Sequence, residues 1–344
     1  MFAPALTQNL ARISNKSFGK RSAYHTISSV MLLDLDAIRA AHERIRPSIN
    51  RTPVLTSERL DEASGAQLFF KCENFQKIGA FKARGATNAV FVLDDAMAKR
   101  GVATHSSGNH GTALARAAKL RGIPAHIVMP KNSAKVKVRA VESYGAQVVF
   151  CEPTEVARET ACADVIAKTG ATLIHSFENE NVMAGQGTAV IEVLEEVDVD
   201  LVMCPIGGGG LLSGTAVSAK SIRPKIKVIA VEPANADDAA QSFRAGERIV
   251  TEKKFTIADG LRTNVGERTF PIIQRYVDDV VTVSEDAIVS AMRTIWETMK
   301  IIIEPSAAVP YAAIIEGKIA VPGKRVGIIL TGGNVDLDAL PWNR

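Results

Sequence analysis

The sequence alternates short apolar runs, rich in β-branched residues, with longer amphipathic runs. Several short runs are continuously apolar, which is typical of strands buried on both faces of a parallel sheet. The longer runs at 110–121, 134–144 and 182–195 have helical spacing. This alternation restricts the chain to an α/β fold with parallel sheets. The predicted strands are 68–72, 102–104, 126–129, 148–151, 172–174, 201–205, 228–231 and 326–331.

Composition excludes several functional classes. The chain has 344 residues, 47% of them hydrophobic and 23% charged, which suffices for one large core or for two lobes that share a cleft. No apolar run reaches the roughly 18 residues of a membrane-spanning helix. No basic stripe with interleaved aromatic residues indicates nucleic-acid binding. The expected partner is therefore a small molecule.

The first 33 residues differ from the rest of the chain. They contain four basic residues and no acidic one, whereas 37 basic and 37 acidic residues follow. A mitochondrial or plastid transit peptide and a disordered leader both fit this composition. Cys72, Cys151, Cys162 and Cys204 lack the spacing of a metal or redox motif, so we expect buried free thiols and a reducing compartment such as the cytoplasm.

Four marked segments follow predicted strands. Ligands of open α/β sheets bind beyond the carboxyl ends of strands, so we expect one cleft to collect these segments. They are 106–109 (SSGN), the glycine run 207–210, the acidic stretch 232–238 and 331–334 (TGGN).

Lys82 is notable for its context. It follows Phe81, whose ring suits a flat cofactor, and it precedes a helix predicted over 84–98. Burial there would lower the pKa of the amine, which suits a lysine that forms a Schiff base with an aldehyde cofactor and then carries a proton. A solvated surface lysine is the competing interpretation.

The glycine run indicates a phosphate. Amide groups ahead of a helix, together with the positive end of its dipole, bind such anions. A dinucleotide fold is the alternative, but the G-x-G-x-x-G fingerprint fails because Ser213 takes its third glycine position. Lys82, this run and the segment 106–109 together indicate pyridoxal phosphate.

The remaining segments allow two interpretations each. Residues 106–109 form an ordinary turn and N-cap, or they hold a substrate carboxylate, and His110 alone is expected to cap or pack. Thr331 caps a turn, or it hydrogen-bonds a pyridine nitrogen and so favours elimination and racemisation over transamination. From the residues alone, the carboxylates of Glu232, Asp237 and Asp238 favour a solvated helix start over a divalent cation.

From about residue 35 to 342 the chain resembles the serine racemase and serine/threonine dehydratase family of fold-type II pyridoxal phosphate enzymes, with most likeness to the serine racemases. The motifs that carry the resemblance are 71–77 (KCENFQK), 104–111 (THSSGNHG), 232–238 (EPANADD) and 303–306 (IEPS). It implies a leader over 1–33, a large lobe from 34–98 and 179–344, a small mobile lobe over 99–178, and the cofactor between the lobes.

The resemblance also assigns roles to residues. It makes Lys82 the Schiff-base lysine and the base on one face of the substrate Cα, with Ser107 as the acid/base on the other face. It implies a cofactor site of Phe81, Asn109, Gly207, Gly208, Gly209, Gly210, Gly260 and Thr331. It implies substrate contacts from Ser106, Ser107, Asn109, His110 and Arg158. It implies a site for Mg²⁺, or for Ca²⁺ or Mn²⁺, at Glu232, the Ala236 carbonyl and Asp238, which reverses the preference drawn from the residues alone.

The implied activity is racemisation of L-serine and its dehydration to pyruvate and ammonia. Dehydration of threonine or threo-3-hydroxyaspartate is the alternative, and a non-catalytic amino-acid sensor is a remote one. The resemblance further implies a homodimer and a nucleotide effector. Two features depart from the family. Ala80 stands where the family often has serine, and alanine also occurs there in members that act on threo-3-hydroxyaspartate. The segment 175–180 (HSFENE) has no assigned role.

Overall fold

Two sheets organise residues 33–252 and 255–343, the part of the chain that the computed structural model describes. Apolar runs form the strands, and amphipathic runs form the helices. The strands are β1 (Val54–Leu55), β2 (Gln67–Cys72), β3 (Val102–His105), β4 (Ala125–Pro130), β5 (Gln147–Cys151), β6 (Thr172–Leu173), β7 (Leu201–Pro205), β8 (Lys227–Pro233), β9 (Asp279–Val283) and β10 (Arg325–Leu330).

Helices connect the strands and cover the sheets. The α-helices are α1 (Leu35–Ile45), α2 (Glu58–Ser64), α3 (Lys82–Phe91), α4 (Asp95–Arg100), α5 (Asn109–Arg121), α6 (Lys135–Glu142), α7 (Glu155–Thr169), α8 (Glu180–Glu196), α9 (Gly210–Ile222), α10 (Asp238–Ala245), α11 (Thr269–Tyr276), α12 (Glu285–Met299) and α13 (Pro305–Ile315). Short 3-10 helices occur at Arg46–Ser48, Glu73–Phe75, Lys77–Gly79, Ala234–Ala236, Asp259–Leu261, Leu337–Ala339 and Pro341–Asn343.

The larger sheet has six strands in the order β1-β2-β10-β7-β8-β9, and only the β1–β2 pair is antiparallel. The smaller sheet has four parallel strands in the order β5-β4-β3-β6. Strand β7 is buried along its whole length, as its continuous apolar sequence predicts. The predicted α/β fold with parallel sheets is therefore confirmed.

The secondary structure differs most clearly from the predicted elements at β1, at β9 and at α3. Strands β1 and β9 were not predicted; β1 has two residues, and β9 is a partly exposed edge strand. The helix predicted over 84–98 is wrong, because α3 begins at Lys82 and ends at Phe91. Asp94 then caps α4, and its side chain accepts a hydrogen bond from the Met97 amide at 2.7 Å.

The expectations for the cysteines and for membrane helices can be compared directly. All four cysteines are buried free thiols, as predicted. Among the helices of the described ranges, none is long and apolar enough to cross a membrane. The leader predicted over 1–33 lies, apart from Leu33, outside the described residues. The lobe boundaries, 34–98 with 179–344 and 99–178, stay a prediction.

A charge-neutral ion network lies buried beside the first turn of α3. Arg84 donates hydrogen bonds to the carboxylates of Glu73 and Glu192 at 2.7–2.8 Å. Lys71 pairs with Glu192 at 2.6 Å. None of the four side chains is more than 2% exposed. Because these residues come from β2, the 3-10 helix that follows it, α3 and α8, the network joins four elements at one point.

Removal of Arg84 tests this network. Arg84→Met would leave two buried carboxylates with Lys71 as their one basic partner in the network, and we expect a loss of about 3–5 kcal/mol in the free energy of unfolding. Arg51→Met is the matched control, since Arg51 is half exposed and pairs with Glu195 and Glu196 at the surface. Its expected cost is below about 1 kcal/mol. Equal losses for the two variants in chemical denaturation would contradict the importance of the network.

Candidate active site

The marked segments lie at the carboxyl ends of strands. Residues 106–108 form the turn between β3 and α5, which begins at Asn109, the glycine run joins β7 to α9, and Thr331 follows β10. Backbone pairing holds the Lys82 loop against the last of these strand ends. The Phe81 amide donates to the Thr331 carbonyl at 3.0 Å, and Ala80 forms a β-bridge with Gly332.

Lys82 is the first residue of α3, and its side chain is largely buried. Its Nζ donates a hydrogen bond to the Ser176 carbonyl at 2.9 Å and lies 5.0 Å from the centroid of the Phe81 ring. Burial lowers the pKa of Lys82 to about 8, while the nearby Glu304 carboxylate acts in the opposite direction. A substantial fraction of this amine is therefore neutral near pH 8.

The turn with Ser107 presents the N-terminus of α5. Gly108 is the N-cap residue in an extended conformation, and its amide donates to the Ser106 Oγ at 3.3 Å. Ser107 is half-buried in this turn. The first amides of a helix lack intrahelical partners, so those of Asn109, His110 and Gly111 suit a carboxylate.

The His110 imidazole is committed to one tautomer. Its Nε2 lies 2.9 Å from the Ile174 carbonyl, which can only accept, so Nε2 carries the proton. Nδ1 is buried and has no hydrogen-bond partner among the described residues. Burial lowers the pKa of His110 to about 3. The ring therefore presents a lone pair, and a substrate carboxylate would be held by the His110 backbone amide.

Asn109 links the two sheets through its side chain. Its Nδ2 donates to the Glu304 carboxylate at 3.0 and 3.1 Å, and its Oδ1 accepts from Asn334 at 2.8 Å. Burial raises the pKa of Glu304 to about 7. Glu304 and Asn334 belong to the motifs 303–306 and 331–334, but no role was predicted for either residue. Their contacts join residues about 200 positions apart, which no local pattern reveals.

The glycine run has a steric reason at each position. Gly209 has φ +90°, a backbone conformation that favours glycine, and α9 begins at the next residue. A Cβ on Gly208 would overlap the Phe177 ring, and one on Gly210 would lie 2.9 Å from Phe177 Cα. A Cβ on Gly207 would lie 3.0 Å from Leu261 Cα. The close approach of the 176–178 segment was not predicted.

Gly260 lies beside the glycine run, and Thr331 lies beside the Lys82 loop. The Gly260 amide donates to the Ser306 Oγ at 3.1 Å, and the Gly260 carbonyl lies next to Gly207. Thr331 is 3% exposed, and its Oγ1 has no hydrogen-bond partner within the described part of the chain. An orphaned buried hydroxyl is costly unless a ligand satisfies it.

Arg158 lies in the first turns of α7, beyond the carboxyl end of β5. Its Nε is buried and finds no hydrogen-bond partner in the ranges described. The parallel strand β5 lies two strands from β3, or about 10 Å at the usual spacing. Arg158 therefore belongs to the sheet edge that carries Ser106 and Ser107.

Two carboxylates of the acidic stretch, those of Glu232 and Asp238, are buried, so the solvated helix start expected from the residues alone is wrong. Glu232 is 1% and Asp238 4% exposed. Glu232 accepts from the Ala240 amide at 2.6 Å, and Asp238 accepts from the Val265 amide at 2.7 Å. Burial raises the pKa of Glu232 to about 9 and that of Asp238 to about 6. Two buried carboxylates of this kind suit a cation, although the described residues form no cluster of three or more His, Cys, Asp or Glu side chains.

The comparison with known proteins agrees with this geometry. Residues 45–332 match the family described as pyridoxal-phosphate dependent enzymes. The chain belongs to this family. It is 52% identical to the β-hydroxyaspartate dehydratase of Paracoccus denitrificans (strain Pd 1222), over 88% of this chain and 97% of that protein. It is 50% identical to the serine racemase of Arabidopsis thaliana, over 90% of this chain and 95% of that protein.

The same family appears among solved structures. The crystal structure of serine racemase from Dictyostelium discoideum has a TM-score of 0.85 and 50% sequence identity, and the match covers 89% of this chain and 99% of that one. The predicted fold-type II class is therefore confirmed. The buried amine of Lys82, the glycine run ahead of α9 and the orphaned Thr331 hydroxyl fit the cofactor that defines the family.

Proposed function

We propose that this protein racemises L-serine and also dehydrates it to pyruvate and ammonia. The observation that carries this proposal is that the two candidate proton carriers, Lys82 and Ser107, come from different sheets. Lys82 is tied to the end of β10 in the larger sheet, and Ser107 follows β3 in the smaller sheet. Relatives named as serine racemases support the assignment.

Particular residues would hold the cofactor. Lys82 would bind its aldehyde, the glycine run and the N-terminus of α9 its phosphate, and Thr331 its pyridine nitrogen. Phe81 and Gly260 would flank the ring, and Asn109 would face the ring hydroxyl once its bonds to Glu304 and Asn334 rearrange. Bound pyridoxal phosphate supplies an electron sink that acidifies the substrate Cα–H bond.

The protein would supply binding and proton transfer. The first amides of α5, from Asn109 and His110, would hold the substrate carboxylate, with the hydroxyls of Ser106 and Ser107 beside it. Lys82 Nζ would take the α-proton, because a pKa of about 8 leaves it partly neutral. Ser107 Oγ would return a proton on the other face and so invert the centre. Loss of the β-hydroxyl instead releases water and leads, after hydrolysis, to pyruvate and ammonia.

Ser107→Ala separates the two outcomes. We expect this variant to keep much of its L-serine dehydration and to lose D-serine formation by about a hundredfold or more, since only inversion needs the second proton carrier. Chiral chromatography and pyruvate release measure the two rates. Lys82→Ala is the control and should lose both activities together with the visible absorbance of the bound cofactor.

Two results would count against the proposal. Equal loss of both activities in Ser107→Ala would contradict proton carriers on opposite faces. A wild-type protein without visible cofactor absorbance or turnover would favour the amino-acid sensor.

A second candidate function is the dehydration of threo-3-hydroxyaspartate. The buried Arg158 Nε without a partner, at the sheet edge that carries Ser107, suits a second carboxylate on the substrate. Ala80 and the similarity to the Paracoccus enzyme support the same substrate. Both candidate functions use Lys82. They differ in the group that recognises the substrate side chain.

Arg158→Met tests this second candidate. We expect kcat/KM for L-threo-3-hydroxyaspartate to fall by tenfold to a hundredfold, and to fall much less for L-serine, because only the dicarboxylate loses a charged hydrogen bond of about 1.5–3 kcal/mol. Arg139→Met, in the neighbouring helix α6, is the matched control. If Arg158→Met lowers kcat/KM equally for the two substrates, then Arg158 does not select a dicarboxylate.

We further propose a divalent cation held by Glu232, the Ala236 carbonyl and Asp238. Three oxygen ligands leave waters to complete the shell that Mg²⁺ prefers. The elevated pKa of Glu232 and Asp238 supports this, because a cation would remove the cost of two nearby buried charges.

Metal removal tests the site. We expect a chelator to lower the melting temperature by a few degrees and to reduce activity, and added Mg²⁺ to restore both, since a ligand at a hundred times its Kd stabilises by about 2.7 kcal/mol. Asp238→Ala should abolish this sensitivity to the chelator. A wild-type protein that is indifferent to chelator and to Mg²⁺ would show that the carboxylates bind no metal.

The homodimer, the nucleotide effector and organelle targeting remain proposals drawn from the resemblance and from leader composition. Sedimentation, nucleotide titration of activity and localisation of a tagged chain test them in turn.

A further inference from the structure

The segment after β6, which had no role in the sequence, contacts both ends of the candidate cofactor site. The Ser176 carbonyl accepts the hydrogen bond from Lys82 Nζ at 2.9 Å. The next residue, Phe177, packs against Gly208 and Gly210 of the glycine run. One short turn therefore contacts the lysine and the loop that precedes α9.

His175 shapes this turn. Its Nδ1 accepts hydrogen bonds from the Phe177 amide at 3.4 Å and from the Glu178 amide at 3.1 Å. Its ring also makes an edge-to-face contact with Phe177, with centroids 4.5 Å apart. An acceptor at Nδ1 requires the tautomer with the proton on Nε2.

Nδ1 of His175 can accept from the two backbone amides only while it is unprotonated, and the surroundings of His175 keep the ring neutral. Burial lowers the pKa of His175 to about 4, and Lys82 and His105 act in the same direction. At neutral pH the imidazole is therefore an uncharged acceptor. Its role is architectural, since it holds a backbone carbonyl toward an amine.

We propose that His175 is a positioning residue for Lys82: its Nδ1 folds the turn at 176–178 so that the Ser176 carbonyl holds the free Lys82 amine and Phe177 packs against the glycine run. This inference rests on the proposed role of Lys82. During turnover Lys82 must be released to carry a proton, and the Ser176 carbonyl then provides its acceptor. A carbonyl that accepts from an ammonium group favours the charged form.

His175→Phe is the primary test, because it keeps an aromatic ring and removes the acceptor. His175→Asn is the converse, because its side-chain oxygen can replace Nδ1 while the ring is lost. His126→Phe, at the amino end of β4, controls for a histidine-to-phenylalanine change elsewhere in the smaller sheet.

The readout is the pKa of Lys82 in the cofactor-free protein. Acylation of each lysine as a function of pH, followed by mass spectrometry, measures it. Glu304, His110 and His175 are the titratable groups beside Lys82. Both imidazoles are uncharged above about pH 6, whereas Glu304, with a pKa raised to about 7, becomes charged in the range in which Lys82 titrates, and all three variants retain Glu304. We expect a wild-type value of about 8. It should be lower by about one pKa unit or more in His175→Phe, and unchanged in His175→Asn and His126→Phe.

Each outcome is decisive. A wild-type pKa in His175→Phe, or equal shifts in His175→Phe and His175→Asn, would overturn the role of the Nδ1 acceptor. If His175→Phe does not fold, ¹⁵N NMR of wild-type histidines replaces it, and a proton on Nδ1 of His175 would overturn the proposal. Borohydride trapping of pyridoxal phosphate on wild-type Lys82 is scored separately, because its failure would refute the proposed function itself.

Discussion

The start of α3 depends on the buried ion network of Lys71, Glu73, Arg84 and Glu192. Burial of four charges is tolerated because two positive and two negative groups cancel and Arg84 makes paired hydrogen bonds to both carboxylates. Such a network accepts one arrangement of β2, α3 and α8. Lys82 is two residues before Arg84, so the network that anchors the helix also fixes where the lysine emerges.

The candidate site uses contacts between segments that are distant in the chain. Lys82 meets the Ser176 carbonyl, Asn109 meets Glu304, and Phe177 meets the glycine run. At the rim, Lys137 pairs with Asp259 at 2.9 Å, although exposed pairs contribute little to stability. The buried contacts place an amine among uncharged imidazoles and near one carboxylate. Burial lowers the pKa of Lys82, and the one nearby carboxylate, that of Glu304, offsets only part of this effect.

Local patterns were reliable where burial is uniform. The continuous apolar runs became strands because a parallel sheet covered on both faces needs them, and the glycine run precedes a helix as its amides require. Prediction of helix and strand positions failed where a capping residue interrupts a helical pattern, and where a strand is too little buried to have a continuous apolar sequence. Asp94 caps a new helix inside an apparently continuous pattern, and the edge strand β9 is only partly buried. The prediction of a solvated helix start at 232–238 was wrong because the burial of its carboxylates depends on residues such as Val265, which lie elsewhere in the chain.

Sequence alone determined the α/β class and the order of the strand-end segments, and it predicted a role for Lys82, because periodicity and residue chemistry are local properties. Tertiary structure alone decided the pKa of Lys82, the tautomer of His110, the orphaned hydroxyl of Thr331 and the burial of Glu232. It also gave the segment 175–178 its contacts with both Lys82 and the glycine run. The physical reason is that desolvation and hydrogen-bond satisfaction depend on which distant groups approach an atom.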